Sequence, residues 1–347
     1  MSISSPGQVF ITIAGTSLTT EDRVRLQHPA TGGLILFAHN YTSPEQITDL
    51  IQQVRAIRSP LLIATDQEGG RVQRFRAGFT PLPAAATILQ HCSQDRQQAC
   101  QITQTLGWLM AAELRSVGVD FSFAPVLDIE QGLSHVIGNR ALATDADTVA
   151  QLAQAWMQGA RQAGMISVGK HFPGHGGVIP DSHTELPTDR RPLNTLRNHD
   201  LYPFRYLIQR GLAAIMPAHI RYPACDRQPA GFSRTWLQTI LRQEMQFHGA
   251  ILSDDLNMQA AVSCYPDPAT RAQAACAAGC DAVLICHNPP AADAILAALS
   301  YPPSPETVRR LQRLRGQPGS YPLHTLQQQS RWQAAAQLAH TLGDPHT

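Results

Sequence analysis

The sequence has little charge and no excess of either sign. Of its 347 residues, 15% are Asp, Glu, Lys or Arg, and 27 basic residues nearly balance 26 acidic ones. Without a basic field, no binding to nucleic acid or to an anionic membrane surface is expected. Apolar residues make up 43% of the chain, which predicts a globular fold with a large core.

Long hydrophobic runs and a recognisable export signal are also missing. No apolar run approaches the about 18 residues of a membrane helix. The first residues, MSISSPGQVFITIAGTSL, contain no positively charged segment before their short apolar stretch. The seven cysteines form no CxxC pair, so they predict neither a disulfide framework nor a thiolate zinc site. A cytoplasmic protein is therefore expected.

Short apolar runs alternate with helix-like segments along the chain. The runs are almost continuously apolar, which favours strands of a parallel sheet with both faces buried. Ser43 and Ser233 are start signals for two of the helices between them. The predicted helices include residues 44–58, 93–116, 147–163 and 235–245. The eight predicted strands are residues 9–15, 32–40, 60–66, 119–128, 165–171, 212–219, 249–254 and 281–288.

Eight strands with helical crossovers favour an α/β fold with a single (β/α)8 TIM-type barrel. We expect one catalytic domain over residues 1–347, with closing helices at about 290–342. An open doubly wound sheet is the alternative, but no glycine-rich GxGxxG turn follows the first strand. In a barrel, the active site forms at the carboxyl ends of the strands.

Ionisable side chains stand at five of these predicted strand ends. Burying such groups is costly, so their recurrence at one end of a barrel indicates an active site. The residues are Asp66, Asp128, Lys170 with His171, His219, and Asp254 with Asp255.

The segment 170–187, KHFPGHGGVIPDSHTELP, predicts a shaped loop after the fifth strand. In it, Asp181 and His183 are two positions apart, so in an extended backbone both side chains project to the same side. The carboxylate could then orient the imidazole, whose ordinary pKa of about 6.5 suits a general acid and base near neutrality. An Asp-His dyad is predicted.

Asp254 and Asp255 end the seventh strand. Adjacent strand residues point to opposite faces, so we expect at most one of the two carboxylates to face the barrel mouth. A strand-anchored carboxylate opposite the dyad would supply a nucleophile beside a general acid and base. Spacing alone leaves open which aspartate is the nucleophile.

The chain resembles the single-domain bacterial β-N-acetylglucosaminidases of glycoside hydrolase family 3. The motifs DQEGGRVQRF, GVDFSFAPVLDI, VIGNR, KHFPGHG, IMPAHI, SDDLNM and AGCDAVLICHN carry this resemblance in order over nearly the whole chain. It implies an exo-enzyme that removes non-reducing terminal N-acetylglucosamine from peptidoglycan fragments. The implied substrates are GlcNAc-1,6-anhydro-MurNAc muropeptides, and the implied process is cell-wall recycling.

The resemblance also implies a retaining mechanism and a role for each site residue. Asp254 would be the nucleophile, and His183, oriented by Asp181, would be the acid and base. No cofactor and no metal are expected, and the enzyme is expected to be a monomer. The residues implied to hold the sugar are Asp66, Arg74, Arg140, Lys170 and His171.

Four other interpretations remain open. The first is a metal-dependent hydrolase, although its first strand lacks the HxH motif usual in such barrels. The second is a substrate-assisted reaction with the paired aspartates, and the third is glycosyl transfer to phosphate. The fourth is a sugar-binding barrel without catalysis. The histidines of the metal interpretation are His171, His175, His183 and His219.

Overall fold

Eight parallel strands close into a barrel in the computed structural model, which describes residues 5–182, 184–299, 301–319 and 321–343. Around the barrel, the strands follow their order in the chain, and the eighth pairs with the first. The predicted (β/α)8 barrel is confirmed. The strands of the described chain are β1 Val9–Ile11, β2 Thr31–Leu36, β3 Leu62–Thr65, β4 Gln67–Gly69, β5 Val72–Gln73, β6 Phe121–Ser122, β7 Ile166–Phe172, β8 Ala214–Pro217, β9 Arg221–Tyr222, β10 Asp226–Pro229, β11 Ala250–Asp255 and β12 Ala282–Leu284. The barrel consists of β1, β2, β3, β6, β7, β8, β11 and β12.

Helices surround this barrel. Within the described ranges, no helix is both long and apolar enough to cross a membrane. One further helix, Thr235–Glu244, has π-type hydrogen bonding. The α-helices are α1 Thr20–Gln27, α2 Pro44–Ile57, α3 Ala85–His91, α4 Arg96–Ser116, α5 Ala146–Gln162, α6 Leu193–Asn198, α7 Leu201–Ile208, α8 Gln259–Cys264, α9 Pro268–Ala278, α10 Pro289–Ala298, α11 Pro305–Gln312, α12 Leu323–Leu326 and α13 Ser330–Leu342.

Each of the eight predicted apolar runs overlaps a barrel strand, but most of the strands are shorter than the runs. The run 119–128 keeps strand pairing only at Phe121–Ser122, and the run 32–40 leaves the sheet for a 3-10 turn at Ala38–Asn40. The residues that leave the sheet continue into the loops at the carboxyl face. Hydropathy marks burial: in the run 119–128, the residues outside the strand are as buried as the strand itself, whereas Ala38 and His39 are exposed.

The predicted helix starts are confirmed by their capping contacts. Oγ of Ser43 accepts a hydrogen bond from the backbone N–H of Gln46 at 3.2 Å, with Pro44 in the first turn. Oγ of Ser233 accepts from the N–H of Trp236 at 3.1 Å. The predicted helix 93–116 begins later, at Arg96, because Ser93 precedes it with φ of 50° outside the helical region.

Aromatic rings fill part of the barrel interior. The ring centroids of Phe10 and Phe121 are 6.3 Å apart, and those of Phe121 and Phe123 are 5.5 Å apart. On the neighbouring strand, a Cβ at Gly33 would lie 2.5 Å from Cε1 of Phe10. The glycine therefore leaves the room that the Phe10 ring occupies.

A hairpin of β4 and β5 follows β3 immediately and was not predicted from the sequence. Its residues are largely polar and show no apolar alternation. Two glutamines brace it: Nε2 of Gln67 donates to the carbonyl of Phe75 at 2.9 Å, and Nε2 of Gln73 donates to the carbonyl of Thr80 at 2.9 Å. The hairpin places Glu68 next to the carboxyl ends of the strands.

Candidate active site

A cavity of about 660 Å³ opens at the carboxyl ends of the barrel strands. Seven of the eight site residues expected from the sequence border it, although they are spread over nearly two hundred positions of the chain. The eighth, His183, lies outside the described residues. The seven are Asp66, Arg74, Arg140, Lys170, His171, Asp181 and Asp254.

Asp66 connects two of the expected cations. One carboxylate oxygen, Oδ1, lies 2.9 Å from Nζ of Lys170, and the other, Oδ2, lies 3.1 Å from Nη2 of Arg74. Each partner comes from a different element, since Asp66 follows β3, Lys170 is in β7 and Arg74 follows the hairpin. The three side chains therefore hold one another in fixed positions at the cavity wall.

Glu68 completes this network, and the sequence did not single it out. Its Oε1 lies 2.6 Å from Nζ of Lys170, and its two oxygens accept from Nε and Nη2 of Arg140 at 2.8 Å each. The pairing with Arg140 is bidentate, which fixes the guanidinium plane. The only signal for Glu68 in the sequence is its place two residues after Asp66 in DQEGG.

The network keeps its members charged. Burial alone would raise the pKa of Asp66, but Lys170 and Arg74 outweigh it and hold that pKa well below its ordinary value. Likewise, burial opposes ionisation of Glu68, while Lys170 and Arg140 lower its pKa to about 2. Burial would lower the pKa of Lys170, yet Asp66 and Glu68 raise it. Ionised groups of both signs thus face the cavity near neutral pH and can bind sugar hydroxyls.

His171 is oriented from behind by a buried carboxylate. Its Nδ1 lies 2.6 Å from Oδ2 of Asp128, which is completely buried. Oδ1 of Asp128 also accepts from the backbone N–H of His175 at 2.6 Å. Burial would raise the pKa of Asp128, but His171 lowers it overall. Because Nδ1 is engaged with Asp128, Nε2 is the ring nitrogen of His171 that can meet a ligand.

Asp254 and Asp255 both border the cavity, and the Asp255 carboxylate contacts a neighbouring loop, as expected for one of two adjacent strand aspartates. The strand ends at Asp255, and the chain turns there into the loop before α8. Oδ1 of Asp255 accepts from the N–H groups of Asn257 and Cys286 at 2.9 and 3.0 Å. These bonds give Asp255 a role in fixing the loop.

The loop after β7 crosses the cavity and carries Asp181. Nε2 of His175 lies 3.1 Å from Oγ of Ser182, and the carbonyl of Ser182 accepts from the N–H of Ala260 at 3.2 Å. Asp181 borders the cavity and its carbonyl accepts from two N–H groups that follow it in the loop. The expected contact between Asp181 and His183 stays a prediction, because His183 is outside the described residues.

An aromatic corner, formed by Phe37, His39 and His287, closes another side of the cavity. The ring centroids of Phe37 and His287 lie 4.3 Å apart edge to face, and those of His39 and His287 lie 5.2 Å apart. Cζ of Arg74 lies 5.2 Å from the centroid of the Phe37 ring. This corner joins the loops after β2 and β12, which are distant in sequence, so no local motif could have predicted it.

The histidines of the metal interpretation do not all meet in this cavity. His171 and His175 border it with ring centroids 5.9 Å apart, whereas His219 is completely buried against the ring of Phe232. In the part of the chain that the structure describes, no group of three His, Cys, Asp or Glu side chains is arranged to hold a metal ion.

The fold and the cavity define a class of protein. Paired carboxylates and cations line a pocket of sugar size at the carboxyl face of a (β/α)8 barrel, and Asp254 adds a further carboxylate beside them. This combination is typical of a glycoside hydrolase.

Comparison with known proteins identifies the family. The model of the glycosyl hydrolase family 3 N-terminal domain matches residues 8–313, and the chain belongs to that family. It is 48% identical over 341 residues to a protein of Thioalkalivibrio sulfidiphilus named Beta-hexosaminidase, covering 98% of this chain and 97% of the relative. The chain is thus a family 3 glycoside hydrolase of the β-hexosaminidase type.

Solved structures agree with this assignment. Native NagZ from Neisseria gonorrhoeae is 41% identical and superposes with a TM-score of 0.92, covering 98% of this chain and 99% of its own. A second structure of the same protein contains N-trifluoroacetyl-D-glucosamine, with 40% identity, a TM-score of 0.92 and the same coverage of both chains.

Proposed function

We propose that this protein is a retaining exo-β-N-acetylglucosaminidase that uses Asp254 as nucleophile and His183, oriented by Asp181, as acid and base. The observation that carries the proposal is the position of Asp254 at the end of β11. There it borders the same cavity as the ionised network of Asp66, Lys170 and Arg74. A carboxylate beside a set of hydroxyl-binding groups is what a double displacement at a sugar carbon needs.

In the first displacement, a carboxylate oxygen of Asp254 attacks the anomeric carbon of the sugar. The bond from that carbon to the glycosidic oxygen breaks, and the leaving oxygen takes the proton of His183. The products of this step are the free aglycone and a covalent glycosyl-enzyme ester at Asp254. Asp181 stabilises the imidazolium form of His183 before the proton is transferred.

In the second displacement, neutral His183 removes a proton from water while the water oxygen attacks the anomeric carbon. The ester bond to Asp254 breaks, and the sugar leaves with its original β configuration. Both displacements invert the carbon, so the overall reaction retains its configuration. A histidine serves here in the acid and base role that a second carboxylic acid fills in most glycosidases.

The sugar is held by the groups that line the cavity wall. Asp66, Arg74, Arg140, Lys170 and His171 offer charged donors and acceptors, which suit bonds to the hydroxyls of one terminal residue. The preference for a 2-acylamino sugar is supported by the related NagZ structure that contains N-trifluoroacetyl-D-glucosamine. A pocket of about 660 Å³ suits a short carbohydrate.

The biological substrate in this proposal is a peptidoglycan fragment, GlcNAc-1,6-anhydro-MurNAc with or without its peptide. The proposed setting is a monomeric cytoplasmic enzyme of cell-wall recycling, with the whole chain, residues 1–347, as one catalytic domain. These finer assignments rest on the sequence motifs that the chain shares with the family.

The test is hydrolysis of 4-nitrophenyl β-N-acetylglucosaminide, with and without EDTA, by the wild type and two variants. We expect EDTA to leave turnover unchanged. We expect Asp254→Ala to lower kcat by about a thousandfold or more and His183→Ala to lower kcat/KM by about a hundredfold or more. The matched controls are Asp293→Ala and His324→Ala, which change exposed residues outside the cavity.

Further measurements distinguish the proposed mechanism from the metal-dependent and phosphorylase alternatives. Azide added to Asp254→Ala should restore release of nitrophenol and give the α-glycosyl azide, because azide replaces the missing nucleophile in a single inversion. Full activity of Asp254→Ala would refute the assignment of the nucleophile. Loss of wild-type turnover with EDTA would favour a metal-dependent reaction, and release of GlcNAc-1-phosphate in phosphate buffer would identify a phosphorylase.

A further inference from the structure

We propose that Arg71, together with His135 and Ile179, forms a subsite for an aglycone that carries a carboxylate. These three residues border the mouth of the active-site cavity, and none of them belongs to the network that holds the sugar in the proposed function. The inference rests on that proposed function, because it concerns the group that the same reaction releases.

The β4–β5 hairpin fixes the place of Arg71. Arg71 follows Gly69 and Gly70, which turn the hairpin with φ of 111° and 54°. A Cβ at Gly70 would lie 2.9 Å from Cβ of Ala84, so the turn is held closely against the next segment. Arg71, which lies in this turn, is therefore held in a defined position.

The guanidinium of Arg71 is held by backbone oxygens. Its Nη2 donates to the carbonyl of His135 at 3.2 Å and to the carbonyl of Val136. The Val136 carbonyl also accepts from Nη1 of Arg140 at 3.1 Å, which connects the mouth to the sugar-holding network. The Arg71 side chain is exposed, so its orientation is set in advance while its other N–H groups remain accessible.

The charge of Arg71 is available to a ligand. Arg74, Arg140 and Lys170 form ion pairs with Asp66 and Glu68. The Arg71 guanidinium, by contrast, donates hydrogen bonds to neutral carbonyl oxygens. Its Nε–H and Nη1–H groups are not engaged by these carbonyls and can donate charge-assisted hydrogen bonds to a carboxylate.

We place Arg71 on the leaving-group side of the cavity, because it borders the same cavity as Asp181 of the proposed dyad. The proposed acid must reach the glycosidic oxygen, so the aglycone has to pass the loop that carries Asp181. Asp181 and Arg71 are close enough to interact electrostatically. Burial and the charge of Arg140 lower the pKa of Arg71, and Glu68 and Asp181 oppose this, so the group remains protonated.

Two neighbouring side chains can contact the parts of the aglycone other than its carboxylate. Ile179, on the same loop as Asp181, is 61% exposed and borders the cavity, where it offers an apolar contact. His135 is also exposed at this mouth and can donate a second hydrogen bond. The ligand class is a β-linked N-acetylhexosaminide whose leaving group has an organic carboxylate and an apolar part.

The experiment compares two substrates that differ only in charge. They are the β-N-acetylglucosaminides of 4-(carboxymethyl)phenol and 4-(carbamoylmethyl)phenol, whose methylene group keeps the two leaving groups chemically alike. We expect wild-type kcat/KM to favour the acid over the amide by about five- to thirtyfold at low salt, and less as salt rises. In Arg71→Gln the ratio should fall to about one, and Arg71→Lys should keep part of it.

Arg313→Gln is the matched control. Arg313 is exposed and does not border the cavity. It should keep the wild-type ratio. A wild-type ratio near one, or a ratio that survives in Arg71→Gln, overturns the carboxylate subsite.

The amide substrate separates this inference from the proposed function. If the wild type cleaves neither substrate, the glycosidase assignment itself fails. If it cleaves acid and amide equally, only the subsite fails. Since the wild-type ratio and its salt dependence need no variant, the test also holds if an Arg71 variant folds poorly.

Discussion

Nε2 of His175 lies 3.1 Å from Oγ of Ser182, and this contact joins two parts of the loop after β7 that border the active-site cavity. Ser182 stands between the two members of the proposed dyad. Its carbonyl accepts from the N–H of Ala260, at the start of the helix that follows the proposed nucleophile strand. One residue thus connects the segment of the acid and base with the segment of the nucleophile.

Removing this contact should impair catalysis more than binding. Ser182→Ala keeps the backbone bond to Ala260 and loses only the side-chain bond to His175, which is worth about 1 kcal/mol. We expect kcat to fall about fivefold with KM almost unchanged, and the free energy of unfolding to fall by about 1 kcal/mol. Steady-state kinetics and urea denaturation measure these quantities. The control Ser263→Ala changes an exposed helix serine, and a kcat of Ser182→Ala equal to that control would contradict the role.

Glu68 should matter for both stability and activity. Glu68→Gln removes the negative charge that pairs with Arg140 and Lys170 at a nearly buried position. We expect the free energy of unfolding to fall by about 3 kcal/mol and KM for the aryl glucosaminide to rise. Urea denaturation and initial rates are the measurements. Glu244→Gln, which breaks an exposed pair with Arg197, should change neither, and an equally small effect of Glu68→Gln would refute the network.

Asp128 should act through His171. Asp128→Asn replaces the charged acceptor of the 2.6 Å bond from His171 with a neutral amide, which allows the ring to change its tautomer. A lost charge-assisted bond of this kind lowers kcat/KM by about ten- to hundredfold. The pH profile of kcat/KM should also shift, which loss of packing alone would not cause. Asp49→Asn, on an exposed helix face, is the control.

The barrel could be predicted because its strands are buried on both faces. Runs such as 281–288, which has five consecutive apolar residues at 282–286, suit strands in a helix-covered parallel sheet. Their lengths could not be predicted, because burial continues where strand pairing stops: β12 ends at Leu284, yet Ile285 and Cys286 are still buried. Hydropathy reports burial, and hydrogen-bond pairing needs the neighbouring strand as well.

The candidate site could be predicted in part for a related reason. Asp66 and Lys170 stand at strand ends, and barrel topology brings strand ends together wherever they occur in the chain. Glu68 and Arg71 depend instead on a hairpin that two glycines turn toward the cavity, and the polar segment gives no periodic signal for it. Contacts between distant loops, such as that of Phe37 with His287, have no local signature at all.

Stability should depend on pH through a carboxyl group far from the proposed chemistry. Glu113 in α4 is 1% exposed, and its Oε1 accepts from Oγ1 of Thr80 at 2.6 Å and from Nε1 of Trp332 at 2.8 Å. Burial raises its pKa from 4.5 to about 6, although the bonds from Thr80 and Trp332 lower it. The folded state therefore holds this proton more tightly than the unfolded chain does.

The sign of the pH effect follows from that difference. The stabilisation by the Glu113 proton is complete below pH 4.5 and is lost as the pH rises through about 6, at a cost of about 2 kcal/mol. Glu113→Gln keeps an acceptor for Thr80 and Trp332 and cannot ionise, so it should escape this loss. Urea denaturation of both proteins should show the variant gaining about 2 kcal/mol relative to the wild type between pH 4.5 and pH 7. In the control Glu306→Gln, at an exposed position, the free energy of unfolding should change with pH as it does in the wild type. If Glu113→Gln also followed the wild-type pH dependence, Glu113 would not titrate in this range.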